Sequence, residues 1–369
     1  MRRSMILTTA AVMASGLMLA GCGGSDTPSD TGSETSEATP KVGVILPDTK
    51  SSARWETADA KYLKEAFEAA GVEYDIQNAQ GDVSQFQTIA DQMITSGVNV
   101  LMIVNLDSGS GKAVLKKAQD QGIATIDYDR LTLGGGADFY VSFDNTKVGQ
   151  LQGEGLEKCL TDAGKMTANI AMLNGSPTDN NATLFYNGAV EALSAKVDGG
   201  EYTVVADQTV DKWDNQLGGT IFEQMWTDNA GKIDGVLAAN DGLGNAAIAI
   251  LKKNGVNGTI PVTGQDATDQ GLQNILAGDQ CMTVYKAVKK EADAASALAV
   301  ALAKGEDTSD LATGTVEDTE TNEEVASVLL DPEAIYFDSV KNVIADGYTT
   351  KEAVCTAELA AKCAEAGIS

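Results

Sequence analysis

Histidine is absent from this chain of 369 residues. Without an imidazole, the chain cannot assemble a Ser-His-Asp or Cys-His nucleophile, and it cannot bind zinc through histidine. Chemistry based on carboxylates or lysine remains open. The sequence implies neither a metal nor an organic cofactor.

Positive charge is also scarce. The chain has 26 basic residues against 53 acidic residues, which gives a formal net charge of −27. A field of this sign repels phosphate backbones and anionic lipid head groups, so it argues against nucleic-acid binding and against charge-driven adhesion to membranes. Taken alone, such acidity indicates a soluble protein.

Long apolar runs are missing except at the N-terminus, where residues 5–20 follow Arg2 and Arg3. This run is short for a permanent membrane span, which needs about 20 residues. It ends in Leu-Ala-Gly-Cys22, which resembles a bacterial lipobox. We therefore expect residues 1–22 to be a lipoprotein signal peptide and Cys22 to be the lipid anchor. The alternative is an ordinary signal peptide with an incidental cysteine.

Residues 23–40 contain almost no large apolar side chain and predict a flexible tether. The mature protein is thus expected to be exported and anchored by lipid to the outer face of the cell membrane. Four cysteines follow the tether, and outside the cell an even number favours disulfides, with three pairings open. Cys355 and Cys363 are near enough in sequence to staple the C-terminal tail, which would leave Cys159 and Cys281 to pair. Buried free cysteines are the alternative.

From Lys41 onward, short apolar segments alternate with amphipathic ones. Residues 42–46 predict a buried strand, and Leu63, Phe67 and Ala70 recur at helical spacing until Gly71. Further strands are predicted at 74–77, 98–104, 123–128, 139–143, 169–173, 203–206, 235–239, 260–263 and 282–285. Apolar strands between helices indicate parallel sheets covered on both faces. Because the strands are too many for one sheet, we predict an α/β fold of two doubly wound lobes.

Polar or aromatic side chains follow nearly every predicted strand. They are Arg54, Trp55, Asp129, Arg130, Asp179, Asn181, Trp213, Asn240, Asp266 and Lys286. Ligands of open α/β sheets bind beyond the carboxyl ends of the strands, so two facing lobes would bring these residues to one cleft. Carboxylates and amides accept hydrogen bonds from sugar hydroxyls, whereas guanidinium and ammonium groups donate them. Indole rings can stack on the C–H faces of a sugar.

The residues leave structural alternatives open. Asn240 and the following Asp241 could merely cap a helix. Arg54 could lie on the surface, and Trp213 could belong to an ordinary core. Arg130 could pair with its neighbour Asp129 or with Asp179 across the cleft.

Several segments together carry a resemblance to a known family. They are Arg54-Trp55, Tyr128-Asp129-Arg130, residues 139–145 (FYVSFDN), Gly175-Ser176-Pro177 with 179–182, Val210-Asp211 with Trp213, Asn240-Asp241, Gly264-Gln265-Asp266 and residues 283–286. With these segments the chain resembles the periplasmic sugar-binding proteins of ABC importers, which have the type I fold, and most strongly their D-xylose-binding branch. The resemblance extends over residues 41–347.

The resemblance implies roles for individual residues. Trp55 and Trp213 would sandwich a sugar ring, Phe185 would add an apolar wall, and the polar residues above would bind hydroxyls. It also implies three crossovers, near Phe143 and Asp144, after Lys286 and near Leu330. The N-terminal lobe would then comprise residues 41–143 and 287–329, and the C-terminal lobe 144–286 and 330–369. The expected partners are a monosaccharide and the permease subunits of an ABC importer, with the protein itself a monomer.

Two segments depart from the D-xylose-binding branch. The tail 349–369 has no counterpart there, and Ser51-Ser52-Ala53 is smaller and less charged than expected. Fructose, ribose and glucose therefore stand beside xylose as candidate ligands, and sensing for chemotaxis stands beside import. A glycosidase is disfavoured because basic neighbours would keep the carboxylates ionised, and a DNA-binding regulator because the N-terminus carries a lipobox instead of a headpiece.

Overall fold

The computed structural model describes residues 39–369. The predicted signal peptide, Cys22 and nearly all of the tether lie outside the described residues. The strands are β1 Lys41–Leu46, β2 Glu73–Asn78, β3 Val100–Ile103, β4 Ala124–Tyr128, β5 Phe139–Phe143, β6 Ala168–Asn174, β7 Tyr202–Thr209, β8 Gly235–Ala238, β9 Thr283–Tyr285, β10 Gly314–Asp318, β11 Glu323–Leu330 and β12 Glu333–Ile335.

Helices separate most of these strands. They are α1 Ala60–Ala70, α2 Val83–Thr95, α3 Ser108–Gln119, α4 Asn145–Asp162, α5 Asn180–Asp198, α6 Asn215–Asp228, α7 Asp241–Lys253, α8 Asp269–Ala277, α9 Val288–Lys304, α10 Val340–Ala345, α11 Lys351–Val354 and α12 Ala360–Glu365. A π-helical turn, Trp55–Asp59, leads directly into α1. Within residues 39–369, no helix is long and apolar enough to cross a membrane.

The first sheet has seven strands in the order β10-β11-β5-β4-β3-β1-β2. All neighbouring pairs are parallel except β10 and β11, which form an antiparallel pair at one edge. Val44 of β1 packs with Leu63 of α1 and Leu298 of α9 in one apolar cluster. Ile45, the next residue, packs with Phe86 of α2 on the opposite face. Helices therefore cover both faces, as the apolar strands predict.

The second lobe contains the parallel sheet β7-β6-β8 and the antiparallel pair β12-β9. The segment 262–265 connects the two through isolated bridges: Val262 pairs with Val236 of β8, and Gln265 pairs with Val284 of β9. The predicted strand at 260–263 is therefore wrong, since the segment forms only a bridge. Pro261 lies in this segment, and a proline has no N–H to contribute to a strand ladder.

The predicted fold class, two α/β lobes of the type I kind with parallel sheets, is confirmed. The chain passes between the sheets from β5 into α4, from β9 into α9, and from β11 into β12. The residue boundaries of the lobes stay a prediction. Of the cysteine pairings left open, the structure has Cys159–Cys281 and Cys355–Cys363.

Candidate sugar-binding cavity

A cavity lies where the strand ends of the two lobes face each other. Its empty volume is about 320 Å³, including its opening. Fourteen residues line it: Ser51, Ser52, Arg54, Trp55, Asp129, Arg130, Asp179, Asn181, Phe185, Trp213, Asn240, Gln265, Asp266 and Lys286. All eleven residues predicted for the ligand site are among them. The structure therefore brings the whole predicted set together, although their role in binding stays a prediction.

Arg54 lies at the start of the π-helical turn and is 2% exposed. Its Nε and Nη2 donate to the two carboxylate oxygens of Asp59 at 2.9 and 2.7 Å, and Nη2 also donates to Glu291 Oε2 at 2.7 Å. Nη1 donates to Asp129 Oδ2 at 3.0 Å. Arg54 is thus buried rather than on the surface, and four of its five N–H hydrogens hold carboxylates.

Asp129 follows β4 and joins side chains from both lobes. Its Oδ2 accepts from Arg54 and from Lys286 Nζ at 3.1 Å, and its Oδ1 accepts from Asn181 Nδ2 at 3.2 Å. Burial alone would raise the pKa of this carboxyl, but the charges of Lys286, Arg54 and Arg130 outweigh it and hold the pKa well below its ordinary value. Asp129 therefore presents a permanent negative charge to the cavity.

Arg130, Asp179 and Trp213 form a second polar group. Arg130 Nε lies 3.0 Å from Asp179 Oδ2, without the alignment of a hydrogen bond, and Trp213 Nε1 donates to the same oxygen at 3.0 Å. Asp179 Oδ1 also accepts from the backbone N–H of Asn181 and so caps α5. Of the alternatives left open above, the structure has Arg130 opposite Asp179.

Aromatic rings supply the apolar wall of the cavity. The Trp213 ring meets Phe185 edge-on, with centroids 6.3 Å apart and planes at 65°. Gly175 makes room for this indole, because a Cβ at that position would lie 2.1 Å from Trp213 Cη2. The guanidinium of Arg54 stacks on the Trp55 ring, with Arg54 Cζ 4.5 Å from the ring centroid. Trp55 Nε1 donates to Ser51 Oγ at 3.1 Å.

The loop after β1 closes the cavity from the first lobe. Ser52 Oγ donates to Asp266 Oδ2 at 3.0 Å, and the backbone oxygen of Ser51 accepts from Asn240 Nδ2 at 3.3 Å. Asn240 Oδ1 caps α7 by accepting from the N–H of Leu243. The side chain of Asn240 therefore both caps α7 and lines the cavity.

Comparison with known proteins identifies the family. The periplasmic binding protein domain matches residues 42–307. The D-xylose-binding periplasmic protein of Escherichia coli (strain K12) is 36% identical over 312 residues, which are 84% of this chain and 90% of the relative. The chain belongs to the periplasmic binding protein family.

Other members of the periplasmic binding protein family are similar over most of their length. The multiple sugar-binding periplasmic protein SbpA of Azospirillum brasilense is 34% identical, covering 94% of this chain and 98% of its own. An ABC transporter solute binding protein from Clostridium phytofermentans with bound β-D-glucose has 28% identity and a TM-score of 0.76, covering 85% of this chain and 99% of its own. The resemblance to sugar-binding members with the type I fold is confirmed.

Sequence reasoning missed several residues of this periplasmic binding protein site. Ser51, Ser52 and Gln265 line the cavity, while Asp59 and Glu291 lie behind Arg54. Glu291 had a signal in the sequence, because this acid stands at helical spacing from the apolar Val288 and Ala295 of α9, and the structure buries it fully. Its Oε1 has no hydrogen-bond partner within residues 39–369, and burial raises its pKa to about 8 against the opposing charge of Arg54.

Proposed function

We propose that this periplasmic binding protein captures a monosaccharide, with D-xylose as the first candidate, and delivers it to the permease subunits of an ABC importer. One observation carries the proposal. All eleven residues expected from the strand-end pattern and from the family resemblance line a single cavity between the lobes. The names of the relatives, which are sugar-binding proteins, support the same ligand class.

The polar groups suit a ligand rich in hydroxyls. By count, Arg54 keeps one free N–H hydrogen and Lys286 keeps two, beside their bonds to carboxylates. Gln265 Oε1 is a buried acceptor that has no partner among the described residues. A sugar hydroxyl both donates and accepts, so it can satisfy donors and acceptors that lie side by side. A ligand lacking one matched hydroxyl would leave a buried group unpaired, which is the basis of selectivity.

The two indole rings suit the apolar C–H faces of a sugar. Trp55 and Trp213 are 3% and 5% exposed, and both line the cavity. Their flat surfaces suit the weakly apolar C–H groups of a pyranose or furanose ring. We infer that the two rings hold the sugar from its faces while the charged groups bind its rim.

Binding would favour the closed arrangement of the lobes. Asn181 Nδ2 reaches Asp129 Oδ1 at 3.2 Å, and Ser52 Oγ reaches Asp266 Oδ2, so groups from both lobes already meet at the cavity. A sugar that bonds to both groups stabilises the closed state relative to the open one, and an importer that recognises the closed form would then take only loaded protein. Sensing for chemotaxis could use the same closed form.

The choice of sugar rests on the relatives. A 36% identical relative is named for D-xylose, whereas a 28% identical structure holds β-D-glucose. We therefore place D-xylose first and keep glucose, ribose and fructose as alternatives. A carboxylate glycosidase is disfavoured, since a general acid needs a raised pKa and that of Asp129 is lowered.

Calorimetric titration with D-xylose, D-glucose, D-ribose and D-fructose tests the proposal. At least one of them should bind, and Trp213→Ala and Asp266→Ala should each weaken its binding sharply without unfolding the protein. Trp226→Ala is the matched control, because Trp226 packs in the second lobe but does not line the cavity. Unchanged affinity in both site variants would contradict the proposed site.

The proposed location is the outer face of the cell membrane, with attachment through Cys22. The lipobox and the tether that follows it support this placement. Membrane fractionation of cells that express the full chain tests it, together with incorporation of labelled fatty acid. The wild type should be labelled and sediment with membranes, whereas Cys22→Ser should be unlabelled. A labelled Cys22→Ser protein would contradict the anchor.

A further inference from the structure

A second cavity adjoins the first between the same lobes. Its empty volume is about 1110 Å³, including its opening. Four residues line both cavities: Ser51, Ser52, Arg54 and Asp266. The larger cavity therefore begins where the proposed monosaccharide site ends.

The boundary between the two cavities includes one side-chain hydrogen bond. Ser52 Oγ donates to Asp266 Oδ2 at 3.0 Å, and both residues face both spaces. Ser52 is half-buried. Rotation about its Cα–Cβ bond is enough to move its hydroxyl away from Asp266. A ligand hydroxyl next to Asp266 could replace Ser52 as the donor to Oδ2, which would connect the two spaces.

The side chains of the second cavity are mainly neutral and polar. Asn215, Asn245, Thr268 and Gln270 line it from the second lobe, and Tyr348 adds an aromatic ring. Its four formal charges, on Lys50, Arg54, Asp266 and Asp269, cancel in sign. A wall of amides and hydroxyls with one ring suits a neutral hydroxylated group and offers little to an anion or an apolar chain.

Residues from both departures of the sequence from the D-xylose-binding branch line this cavity. Residues 51–53 line it from the first lobe, and Thr349, the first residue of the tail 349–369, lines it beside Tyr348. Ser51 and Ser52 also line the first cavity, so the first departure lies at the boundary between the two spaces.

The segment Asp346-Gly347-Tyr348, which precedes the tail and carries the aromatic wall of the second cavity, is held by several contacts. Tyr285 OH donates to Asp346 Oδ2 at 2.6 Å, and Tyr62 OH donates to the backbone oxygen of Gly347 at 3.3 Å. The Tyr348 ring packs on Tyr285, with centroids 5.3 Å apart. Farther on, the Cys355–Cys363 disulfide closes the tail on itself. The second cavity thus has a fixed wall against which a ligand can bind.

We propose that the ligand of this protein extends from the first cavity into the second, so that the preferred substrate is a disaccharide or a glycoside of the sugar. This inference rests on the proposed function, because the first unit would occupy the site described above. The second unit would replace the Ser52–Asp266 bond and lie among the neutral side chains beside Tyr348.

Paired calorimetric titrations test the inference. The probes are D-xylose, the β-1,4-linked disaccharide of D-xylose, and methyl α- and β-D-xylosides, with the corresponding glucose compounds if glucose is the sugar that binds. We expect at least one extended ligand to bind tenfold or more tightly than the free monosaccharide. Ala53→Trp should remove that advantage by filling the second cavity, while the monosaccharide affinity stays within twofold.

Gln270→Trp provides a second filling variant from the opposite lobe, and it should act in the same way. Ala163→Trp is the matched control, because Ala163 is exposed at the end of α4 and lines neither cavity. If the monosaccharide binds but no extended ligand binds more tightly, or if both filling variants leave an extended ligand's affinity unchanged, the inference is wrong and the proposed function stands. If neither class of ligand binds, the proposed function itself fails.

Discussion

Arg54 and Asp59 form a two-point contact, with Nε to Oδ2 at 2.9 Å and Nη2 to Oδ1 at 2.7 Å. Arg54 lines the cavity, but Asp59 lies behind it and is fully buried. The planar guanidinium is therefore oriented by a carboxylate that does not reach the ligand space. Positioning of this kind fixes the direction in which the remaining N–H of Arg54 points.

Asp59→Asn should weaken sugar binding about tenfold and lower the free energy of unfolding by about 1–3 kcal/mol, because Arg54 loses a charged two-point partner. Calorimetry and urea unfolding measure the two effects. Asp91→Asn is the control, since Asp91 pairs with Lys117 on the surface and should cost less than about 1 kcal/mol. Full sugar affinity in Asp59→Asn would contradict the positioning role.

Gly175→Ala should displace the indole of Trp213. The added Cβ would lie 2.1 Å from Trp213 Cη2, which is far inside van der Waals contact, so the ring must move. We expect at least a tenfold loss of sugar affinity and a loss of about 1–3 kcal/mol in stability from overpacking. Fluorescence of the bound and free protein, with calorimetry, checks this.

Gly219→Ala is the matched control for this glycine. A Cβ there would meet only Ala246 Cβ at 3.8 Å, and Gly219 lies inside α6. Alanine should therefore stabilise the protein by about 0.5–1 kcal/mol and leave affinity unchanged. Equal effects of the two substitutions would show that the Trp213 contact does not determine binding.

The strand-end residues could be predicted because their placement follows from the topology. Parallel strands share a carboxyl end, so Asp129 after β4 and Asp179 after β6 must lie at the facing edges of the two sheets. Phe185 lies within α5 and was predicted only from the family resemblance. Its position six residues beyond Asp179, the N-cap of α5, is not visible in the strand pattern.

Other features could not be predicted because they depend on contacts between distant segments. Glu291 reaches Arg54 across 237 residues, and only the return of α9 to the first sheet brings them together. The β10–β11 hairpin was missed because its first strand is mostly exposed and lacks an apolar alternation. The opposite error occurred at 260–263, where an apolar segment containing Pro261 forms only a bridge.

Glu291 should make the protein less stable as the pH rises. Burial, together with the nearby Asp129 and Asp59, raises its folded-state pKa to about 8 from an ordinary value of 4.5. A raised pKa favours folding fully below about pH 4.5, and this contribution is lost as the pH rises through about 8. Between pH 5 and pH 8 we expect a decrease in unfolding free energy of up to about 4 kcal/mol from this residue.

Glu291→Gln isolates that contribution, because glutamine keeps the shape but does not titrate. Burial also raises the pKa of Asp127 and Asp241 to about 7, and these residues are common to both proteins. Urea unfolding at pH 5 and pH 8 should therefore show a smaller loss in the variant than in the wild type. Identical losses would contradict a raised pKa at Glu291.

The two disulfides should differ in what they contribute to stability. Cys159–Cys281 spans 122 residues of sequence, whereas Cys355–Cys363 spans 8. A cross-link restricts the unfolded chain more when it closes a longer loop, and the loop-entropy relation gives about 5 kcal/mol for the long loop and about 2.5 kcal/mol for the short one. Replacing both cysteines of the long loop by serine should thus cost about 2 kcal/mol more than replacing both of the tail. Urea unfolding of the two double variants under non-reducing conditions measures this difference, and an equal or reversed cost would mean that packing around the sulfurs, rather than loop length, decides it.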